Sequence, residues 1–211
     1  MLEFNQDPKD GRYLQGHGGD TSNTAIAAAR QGGRVGYLTA VGADPFGQSF
    51  LDLWAAEGID TSQVKRTGDA PTGIYFVTHG PEGHVFSYYR AGSAASRMTP
   101  ADMPLPAIRA AKAIHLSGIS LAISTSACDA CFSAVQAARD AGTKVSFDTN
   151  LRLKLWPVHR ARAVMNEMIA LCDICLPSYD DIAAITGLTV DRGEAFWLQG
   201  TSYAVMKLRV E

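Results

Sequence analysis

Short apolar runs alternate with segments of helical periodicity along most of this 211-residue sequence. The alternating pairs are residues 35–41 and 45–57, 113–116 and 125–141, 144–147 and 158–171, and 173–176 and 179–186. A strand that is apolar throughout is buried on both faces, which is typical of a parallel sheet covered by helices. The pattern therefore predicts an α/β fold, a three-layer arrangement with a mostly parallel sheet between helices.

Local signals define two helix boundaries. Asp44 precedes Pro45, which combines an N-cap acceptor with a residue suited to the first helical turn, and Gly58 can end that helix in a left-handed conformation. A second helix is predicted for residues 20–29, because its apolar stripe begins after Asp20 and stops at the glycine pair 32–33.

One stretch interrupts the alternation. Residues 73–79 and 84–90 are aromatic and β-rich, and Gly80-Pro-Glu-Gly83 between them predicts a hairpin turn. Together with residues 12–15 the hairpin predicts a small antiparallel sheet. Such an insertion is either a lid or dimer flap, or a plain edge hairpin, and the pattern alone does not separate these possibilities.

Composition limits the choice of partner. The 19 basic and 21 acidic residues give a formal net charge of −2 and form no runs, so we expect neither nucleic acid nor an anionic membrane surface as partner. No apolar stretch approaches the roughly 20 residues of a membrane helix, and no signal sequence follows Met1. We therefore expect a cytoplasmic protein with a small-molecule ligand.

The four cysteines form two Cys-x-x-Cys pairs. Cys128 and Cys131 share a helix face, whereas Cys172 and Cys175 are predicted to lie on one strand with their thiols on opposite faces. We interpret all four as buried small hydrophobic residues, not as a metal or redox site. None of the five histidines stands at ligand spacing from another, so no metal site is predicted.

A glycine-rich segment, Gly16-His-Gly-Gly-Asp-Thr-Ser-Asn23, directly precedes a predicted helix. Glycines let a ligand approach the backbone closely, and the N–H groups at a helix start attract oxygen-rich or anionic groups. The alternative is a glycine turn in which Asp20 merely caps the helix.

Three further segments end predicted strands. In Tyr88-Tyr-Arg90 the first and third residues share a face, which suits a hydroxylated carboxylate or, alternatively, plain aromatic packing with a surface arginine. The segment Asp148-Thr-Asn-Leu-Arg152 follows the strand at 144–147, where open α/β sheets bind ligands. Ser178 and Asp181 follow the next strand, although Ser178 could simply cap the following helix.

Together, Gly18-Gly-Asp-Thr-Ser-Asn23, Val41-Gly-Ala-Asp-Pro-Phe-Gly47 and Asp148-Thr-Asn150 resemble the signature and core of the ribokinase-like (PfkB) sugar kinases. The segments 88–90, 116–123 and 147–156 are similar to those of the 2-keto-3-deoxygluconate kinases within that family. The resemblance runs to about Leu188. It implies a ribokinase-like domain over residues 1–211 with lid strands at approximately 9–17 and 72–91.

The resemblance implies roles for individual residues. The sugar would be bound by Gly18, Gly19, Asp20, Asn23, Tyr75, Tyr88, Arg90 and Arg152, with the two arginines on the substrate carboxylate. Two arginines can hold a carboxylate bidentately, which favours a keto-deoxy acid over fructose or ribose. The residues next to nucleotide and magnesium would be Asp148, Asn150, Ser178, Asp181 and Lys207. Ser178 and Asp181 stand where the family commonly has Asn-x-x-Glu.

Family members use ATP and Mg²⁺ to phosphorylate a primary sugar hydroxyl, with an aspartate base in a Gly-Ala-Gly-Asp segment. That segment does not occur in this sequence. The resemblance therefore implies a carboxy-terminally truncated kinase that contains no catalytic residue of its own, and whose family activity converts 2-keto-3-deoxygluconate to its 6-phosphate.

Other interpretations stay open. The chain could be a non-catalytic fragment that at most binds sugar acid, or another PfkB kinase, such as a fructokinase or a 2-keto-3-deoxygalactonate kinase. The β-flap could also build a homo-oligomer by edge pairing.

Overall fold

The computed structural model describes residues 1–187, which form nine strands and seven α-helices. The chain divides into two compact units, Met1–Met98 and the part from Thr99 onward. The first unit contains β1 (Leu2–Gln6), β2 (Tyr13–His17), α1 (Asp20–Arg30), β3 (Thr39–Gly42), α2 (Pro45–Ala56), β4 (Val64–Thr67), β5 (Ile74–Gly80) and β6 (Gly83–Tyr89). The second contains α3 (Leu105–Ala110), β7 (Ala113–Ser117), α4 (Gly118–Ala122), α5 (Thr125–Asp140), β8 (Lys144–Asp148), α6 (Val158–Leu171), β9 (Ile174–Leu176) and α7 (Tyr179–Thr186).

The predicted hairpin is present as β5 and β6, but its sheet differs from the expectation. The sheet has four strands in the order β2-β1-β5-β6. β1 pairs antiparallel with β2 and parallel with β5, so the sheet is mixed, not wholly antiparallel. β1 was missing from the predicted sheet because its pairing with β5 joins residues 72 positions apart, which no local pattern indicates.

A compact aromatic core holds the first unit together. Leu2, Phe50 and Trp54 are at most 2% exposed and pack with Ala25, Val41 and Ile59. The Trp54 indole N–H donates to Ser22 Oγ at 2.9 Å, which satisfies the polar atom of the buried ring. The strand expected over residues 35–41 is shorter, because only Thr39–Gly42 pairs, in parallel, with β4.

The Asp44 carboxylate joins three parts of the first unit. It caps α2 by accepting from the Gly47 N–H at 2.7 Å, as the sequence predicted. It also accepts from the Thr72 N–H and hydroxyl, at 2.7 and 2.8 Å, and Thr72 Oγ1 in turn accepts from the Gly42 N–H at 2.9 Å. Burial opposes ionisation of Asp44, but these hydrogen bonds outweigh it and hold its pKa below the ordinary value.

The second unit contains a parallel sheet in the order β7-β8-β9. Helices α5 and α6 bury a face containing Val135, Met165 and Met168, and the strand residues Val145 and Phe147 are fully buried. Helices α6 and α7 have the predicted bounds, whereas the short helices α3 and α4 were not predicted. No helix within residues 1–187 is both long and apolar enough to cross a membrane.

The prediction that Cys172 and Cys175 share a strand is wrong. Cys172 is the C-cap of α6, and β9 begins only at Ile174. The Cys172 thiol donates to the Ile169 carbonyl at 3.2 Å. The error arises because Cys172 directly follows the last helical residue, Leu171, and so belongs to the helix end and not to the strand.

Replacing Asp44 with Ala is expected to destabilise the fold by about 2–4 kcal/mol, since the cap is lost and the buried Thr72 N–H loses its acceptor. Urea denaturation measures the change. Asp52→Ala is the matched control, because Asp52 lies on the same helix, is exposed, and accepts only from Gln48 of its own helix. Equal effects of the two substitutions would contradict the role of the Asp44 network.

The pH dependence of Asp44→Asn tests the charge separately. The folded-state pKa of Asp44 lies below its unfolded value, so its contribution to stability is present above the unfolded pKa and is lost as pH falls through the folded pKa. The difference in stability between the native chain and Asp44→Asn should therefore shrink as pH falls below about 4. If the difference in free energy of unfolding stays constant with pH, the charge of the Asp44 carboxylate contributes nothing to stability.

Candidate functional site

The turn between β2 and α1 requires glycine. Gly19 is the N-cap of α1 with φ of 131°, a conformation that side chains with a Cβ rarely adopt. Gly18 is buried, and a Cβ at this position would overlap the phenol oxygen of Tyr75. The backbone of the turn therefore lies directly against the Tyr75 side chain.

Asp20 does not cap α1, so the alternative interpretation of this residue is wrong. Gly19 occupies the N-cap, Asp20 is the first helical residue, and no side chain makes a cap hydrogen bond. Its Oδ2 atom is buried and has no hydrogen-bond partner among the described residues. An anion is favoured at a helix N-terminus, yet a buried oxygen without a donor costs free energy. A ligand that supplies a donor would remove this cost.

Asn23 lies one turn after Asp20, so the two side chains share a face of α1. Asn23 is exposed, whereas Ser22 and Ala25 point into the core. The structure thus separates a buried, structural face of the helix from a face that carries an amide and a carboxylate.

Tyr75, Tyr88 and Arg90 form a continuous wall on the four-stranded sheet. Tyr75 and Tyr88 are cross-strand partners with ring centroids 5.7 Å apart. The Arg90 guanidinium carbon lies 4.5 Å from the Tyr88 ring centroid, which is cation–π geometry. The predicted sharing of one face by Tyr88 and Arg90 is therefore seen, although Tyr88 is 42% exposed.

Sequence reasoning missed Glu3, which orients Tyr75. The Tyr75 hydroxyl donates to the Glu3 carboxylate. Burial first, and then this hydrogen bond, raise the pKa of Tyr75 above its ordinary value. Because its proton is held by Glu3, the phenol oxygen is left to accept from a ligand. The register that pairs Glu3 with Tyr75 joins residues 72 positions apart, so no local pattern indicates it.

The charges of Asp20 and Arg90 both influence the pKa of the Met1 amino group. The Met1 amino group donates to the Gly18 carbonyl at 3.0 Å. Burial lowers its pKa to about 6, the Asp20 charge opposes that shift, and the Arg90 charge adds to it. Both charges therefore act on one group beside the glycine turn, in opposite directions.

A second group of predicted residues surrounds the carboxyl ends of β8 and β9. Buried Asp181 accepts from the Thr149 hydroxyl at 2.6 Å and from the Leu151 N–H at 3.2 Å. Asp148 Oδ1 accepts from the Asn150 N–H at 3.1 Å, and Asn150 has an unusual positive φ of 35°. The loop after β8 is thus held in one shape by two carboxylates.

Ser178 is the N-cap of α7 and accepts from the Asp181 N–H at 3.1 Å, which confirms the capping interpretation. Gly118 was not predicted as part of this group. A Cβ there would overlap the Thr149 carbonyl oxygen, so only glycine allows the start of α4 to pack against this loop.

Two predicted residues are not brought into either group by observed contacts. Arg152 is exposed, and its guanidinium donates to the neighbouring Leu151 carbonyl at 2.9 Å. Lys207 lies outside the described residues. From their spacing in sequence no two histidines were expected to lie close together, but the Nδ1 atoms of His79 and His84 lie 2.9 Å apart at the hairpin tip. Within residues 1–187, however, no three His, Cys, Asp or Glu side chains cluster as a structural or catalytic metal centre would require.

The sequence matches the pfkB family of carbohydrate kinases over residues 2–198. The chain belongs to that family. It is 33% identical over 204 residues to 2-dehydro-3-deoxygluconokinase of Bacillus subtilis, covering 94% of this chain and 63% of the relative. The corresponding enzyme of Thermoproteus tenax is 37% identical over 190 residues, with 87% and 57% covered. Fructokinase-2 of Solanum habrochaites is 33% identical over 178 residues, with 83% and 54% covered.

Solved structures confirm the α/β, ribokinase-like fold class. A PfkB protein from Polaromonas sp. JS666 superimposes with a TM-score of 0.86 at 32% identity, covering 92% of this chain and 68% of that one. An ATP-bound fructokinase from Xylella fastidiosa gives 0.81 at 27% identity, with 89% and 58% covered. The chain spans only 57–63% of the length of the two 2-dehydro-3-deoxygluconokinases it resembles.

Substituting Asp20 with Asn should leave the free energy of unfolding unchanged or raise it by up to about 1 kcal/mol, because the buried oxygen without a donor is a cost that the fold carries. Urea denaturation measures this, with Asp44→Asn as the matched control. Asp44 also begins a helix but is fully hydrogen-bonded, so its substitution should destabilise. A loss above about 1 kcal/mol for Asp20→Asn would show that the carboxylate has a structural role.

Proposed function

We propose that the first unit binds the acceptor of an ATP-dependent sugar-acid kinase, and that the acceptor is 2-keto-3-deoxygluconate, which is converted to its 6-phosphate. The observation that carries this proposal is the buried Asp20 oxygen without a donor, directly after the glycine turn that packs against Tyr75. Sugar hydroxyls are donors that such an oxygen can accept from.

The chemistry of this wall suits one end of a sugar acid. Arg90 carries a planar guanidinium that can hold a carboxylate bidentately, and Tyr88 already lies against it. Tyr75 and Tyr88 supply apolar ring faces for the carbon skeleton, and the Tyr75 oxygen accepts from a hydroxyl. A ligand with a carboxylate and several hydroxyls would interact with all these groups, whereas a neutral sugar offers no carboxylate to the guanidinium.

The four-stranded sheet would serve as the lid of this site. Its strands β5 and β6 carry Tyr75 and Tyr88, and Arg90 directly follows β6. Aromatic side chains on both faces of the sheet remain exposed, including Tyr13, Phe86 and Tyr89. The sheet would close over the acceptor, and the exposed rings of the wall would then contact the ligand.

Two carboxylates of the second unit would hold magnesium. Mg²⁺ is usually held by one or two carboxylates together with water and substrate phosphates, and Asp148 and Asp181 are the two carboxylates at the ends of β8 and β9. When bound, the ion neutralises phosphate charge. Thr149 and the Leu151 N–H fix the Asp181 carboxylate, while Asn150 fixes Asp148, so these residues orient the two acids.

A second candidate function is sugar-acid binding without phosphoryl transfer. The observation in its favour is that the observed contacts of Asp20, Tyr75, Tyr88 and Arg90 concern acceptor binding alone. A coupled assay of this chain with ATP, Mg²⁺ and 2-keto-3-deoxygluconate separates the two. Turnover by this chain would contradict the binding-only alternative, and binding without turnover would support it.

The substrate class is tested by conservative arginine substitutions. Arg90→Lys keeps the charge but removes the fork, so affinity for 2-keto-3-deoxygluconate should fall about 10- to 100-fold. Isothermal titration calorimetry measures it. Arg152→Lys tests the second arginine implied by the family resemblance in the same way, and Arg66→Lys, on an exposed position of β4, is the matched control.

Fructose is the comparison ligand, because it has hydroxyls but no carboxylate. The proposal expects weak fructose binding that Arg90→Lys leaves unchanged. If fructose binds more tightly than the sugar acid, or if Arg90→Lys lowers the affinity for both ligands equally, the sugar-acid assignment is contradicted. Such a result would indicate a fructokinase-type site. Undetectable binding of both ligands to the native chain would contradict an acceptor site altogether.

A further inference from the structure

Two histidines of the first unit have no part in the proposed function. His79 lies near the end of β5 and His84 near the start of β6, and the two residues are register partners across the hairpin. Directly paired residues of neighbouring strands point to the same face of a sheet. Their Nδ1 atoms lie 2.9 Å apart. The hairpin therefore brings two imidazole nitrogens together beside its turn.

The partners of the His79 ring assign its proton. His79 Nε2 lies 3.0 Å from Asn5 Oδ1, and because a carbonyl oxygen accepts and does not donate, Nε2 carries the proton. The orientation of the amide is supported by Asn5 Nδ2, which donates to Glu3 Oε1 at 3.4 Å. His79 Nδ1 is therefore the nitrogen with a lone pair, and it faces His84. A histidine whose other ring N–H is held by an oxygen acceptor has the usual arrangement of a metal ligand.

The two rings differ in how firmly they are held. His79 is half-buried and bound to Asn5, whereas His84 is exposed. The ring centroids are 4.7 Å apart and the ring planes are 78° apart. In the contact between the rings, His84 Nδ1–H donates to His79 Nδ1. Because His84 is exposed, its ring can turn and carry its proton on Nε2 instead, which leaves two Nδ1 lone pairs for one ion.

The separation of the two Nδ1 atoms favours an ion that takes its ligands at right angles. Metal–nitrogen bonds are about 2.0–2.1 Å long, so two nitrogens at 90° around one ion are about 2.9 Å apart, whereas two tetrahedral ligands are about 3.3 Å apart. The observed 2.9 Å agrees with the first value. Imidazole suits Cu²⁺ and Ni²⁺, which take square-planar or tetragonal geometry, while Mg²⁺ takes oxygen ligands.

We propose that His79 and His84 form a two-histidine binding site for Cu²⁺ or Ni²⁺ at the tip of the β5–β6 hairpin. The two Nδ1 atoms occupy neighbouring positions around the ion, and water occupies the others. Within residues 1–187 no third His, Cys, Asp or Glu side chain joins the pair. The ion is therefore exchangeable, unlike the zinc of a structural centre with four protein ligands. When bound, it connects β5 to β6 beside the turn.

Calorimetric titration of the native chain with NiCl₂ tests the site, with excess MgCl₂ present to occupy the carboxylates proposed for magnesium. We expect one Ni²⁺ per chain. His79→Ala and His84→Ala should each lower the affinity at least about tenfold, because the first nitrogen makes binding to the second intramolecular. His159→Ala is the matched control, since His159 is an exposed histidine of α6, and it should leave the affinity unchanged. Circular dichroism verifies the folding of each variant.

The role of Asn5 is tested by two substitutions. Asn5→Ala should lower the Ni²⁺ affinity about 10- to 100-fold, because His79 loses the acceptor that orients its ring. Asn5→Asp keeps an acceptor for the Nε2–H group and should retain the affinity. Unchanged affinity in Asn5→Ala would contradict the proton assignment on which the site rests.

Nuclear magnetic resonance locates the ion without any substitution. In the native chain, paramagnetic Ni²⁺ at less than one equivalent should broaden the ring signals of His79 and His84 and leave those of His159 sharp. The proposal is overturned if the native chain binds no Ni²⁺, if His79→Ala or His84→Ala binds as tightly as the native chain, or if the broadening appears at His159 instead. None of these outcomes bears on the acceptor site, whose ligand is a sugar acid.

Discussion

The carboxylate of Asp44 is the interaction on which the first unit depends. It caps α2, accepts twice from Thr72, and through Thr72 reaches the end of β3. Thr72 lies two residues before β5, so this network sets where β5 begins. The start of β5 in turn sets the position of Tyr75 against Gly18, and the hairpin register places Tyr88 opposite Tyr75. The family motif around residues 41–47 therefore has a structural role, and it positions the residues of the candidate site.

Asp20 shows the opposite use of the same residue type. Both aspartates lie at the start of a helix, yet Asp44 has every donor that its position offers, while one buried oxygen of Asp20 has none. The hydrogen bonds of Asp44 stabilise the fold, whereas the buried Asp20 oxygen makes none and therefore costs folding free energy. Such a cost is expected where a site is kept ready for a ligand. Arg90, whose guanidinium lies over the Tyr88 ring, would supply the opposite charge to the proposed sugar-acid ligand.

Helix α2 was predictable because Asp44-Pro45 and Gly58 are local signals, and α7 is bounded in a similar way by the Ser178 cap and the left-handed Gly187. Helix α6 has no side-chain cap at its start, so its predicted bounds rested on helical periodicity. The roles that depend on distant pairing were not predictable. Glu3 orients Tyr75 across a strand pair 72 residues apart, and Gly118 is required because Thr149 approaches it in space. Cys172 was misplaced because it is the C-cap of α6, so an argument based on strand alternation does not apply to it. The glycine-rich segment and the pair Tyr88 and Arg90 were indicated by their own patterns, Tyr75 came from the family resemblance, and Asp20 gained its physical argument only from burial.

The most direct test is a crystal structure of this chain with 2-keto-3-deoxygluconate bound. We expect a ligand hydroxyl within about 3 Å of Asp20 Oδ2, and the ligand carboxylate on the Arg90 guanidinium. A ligand bound elsewhere, or one that leaves the Asp20 oxygen without a donor, would contradict the account.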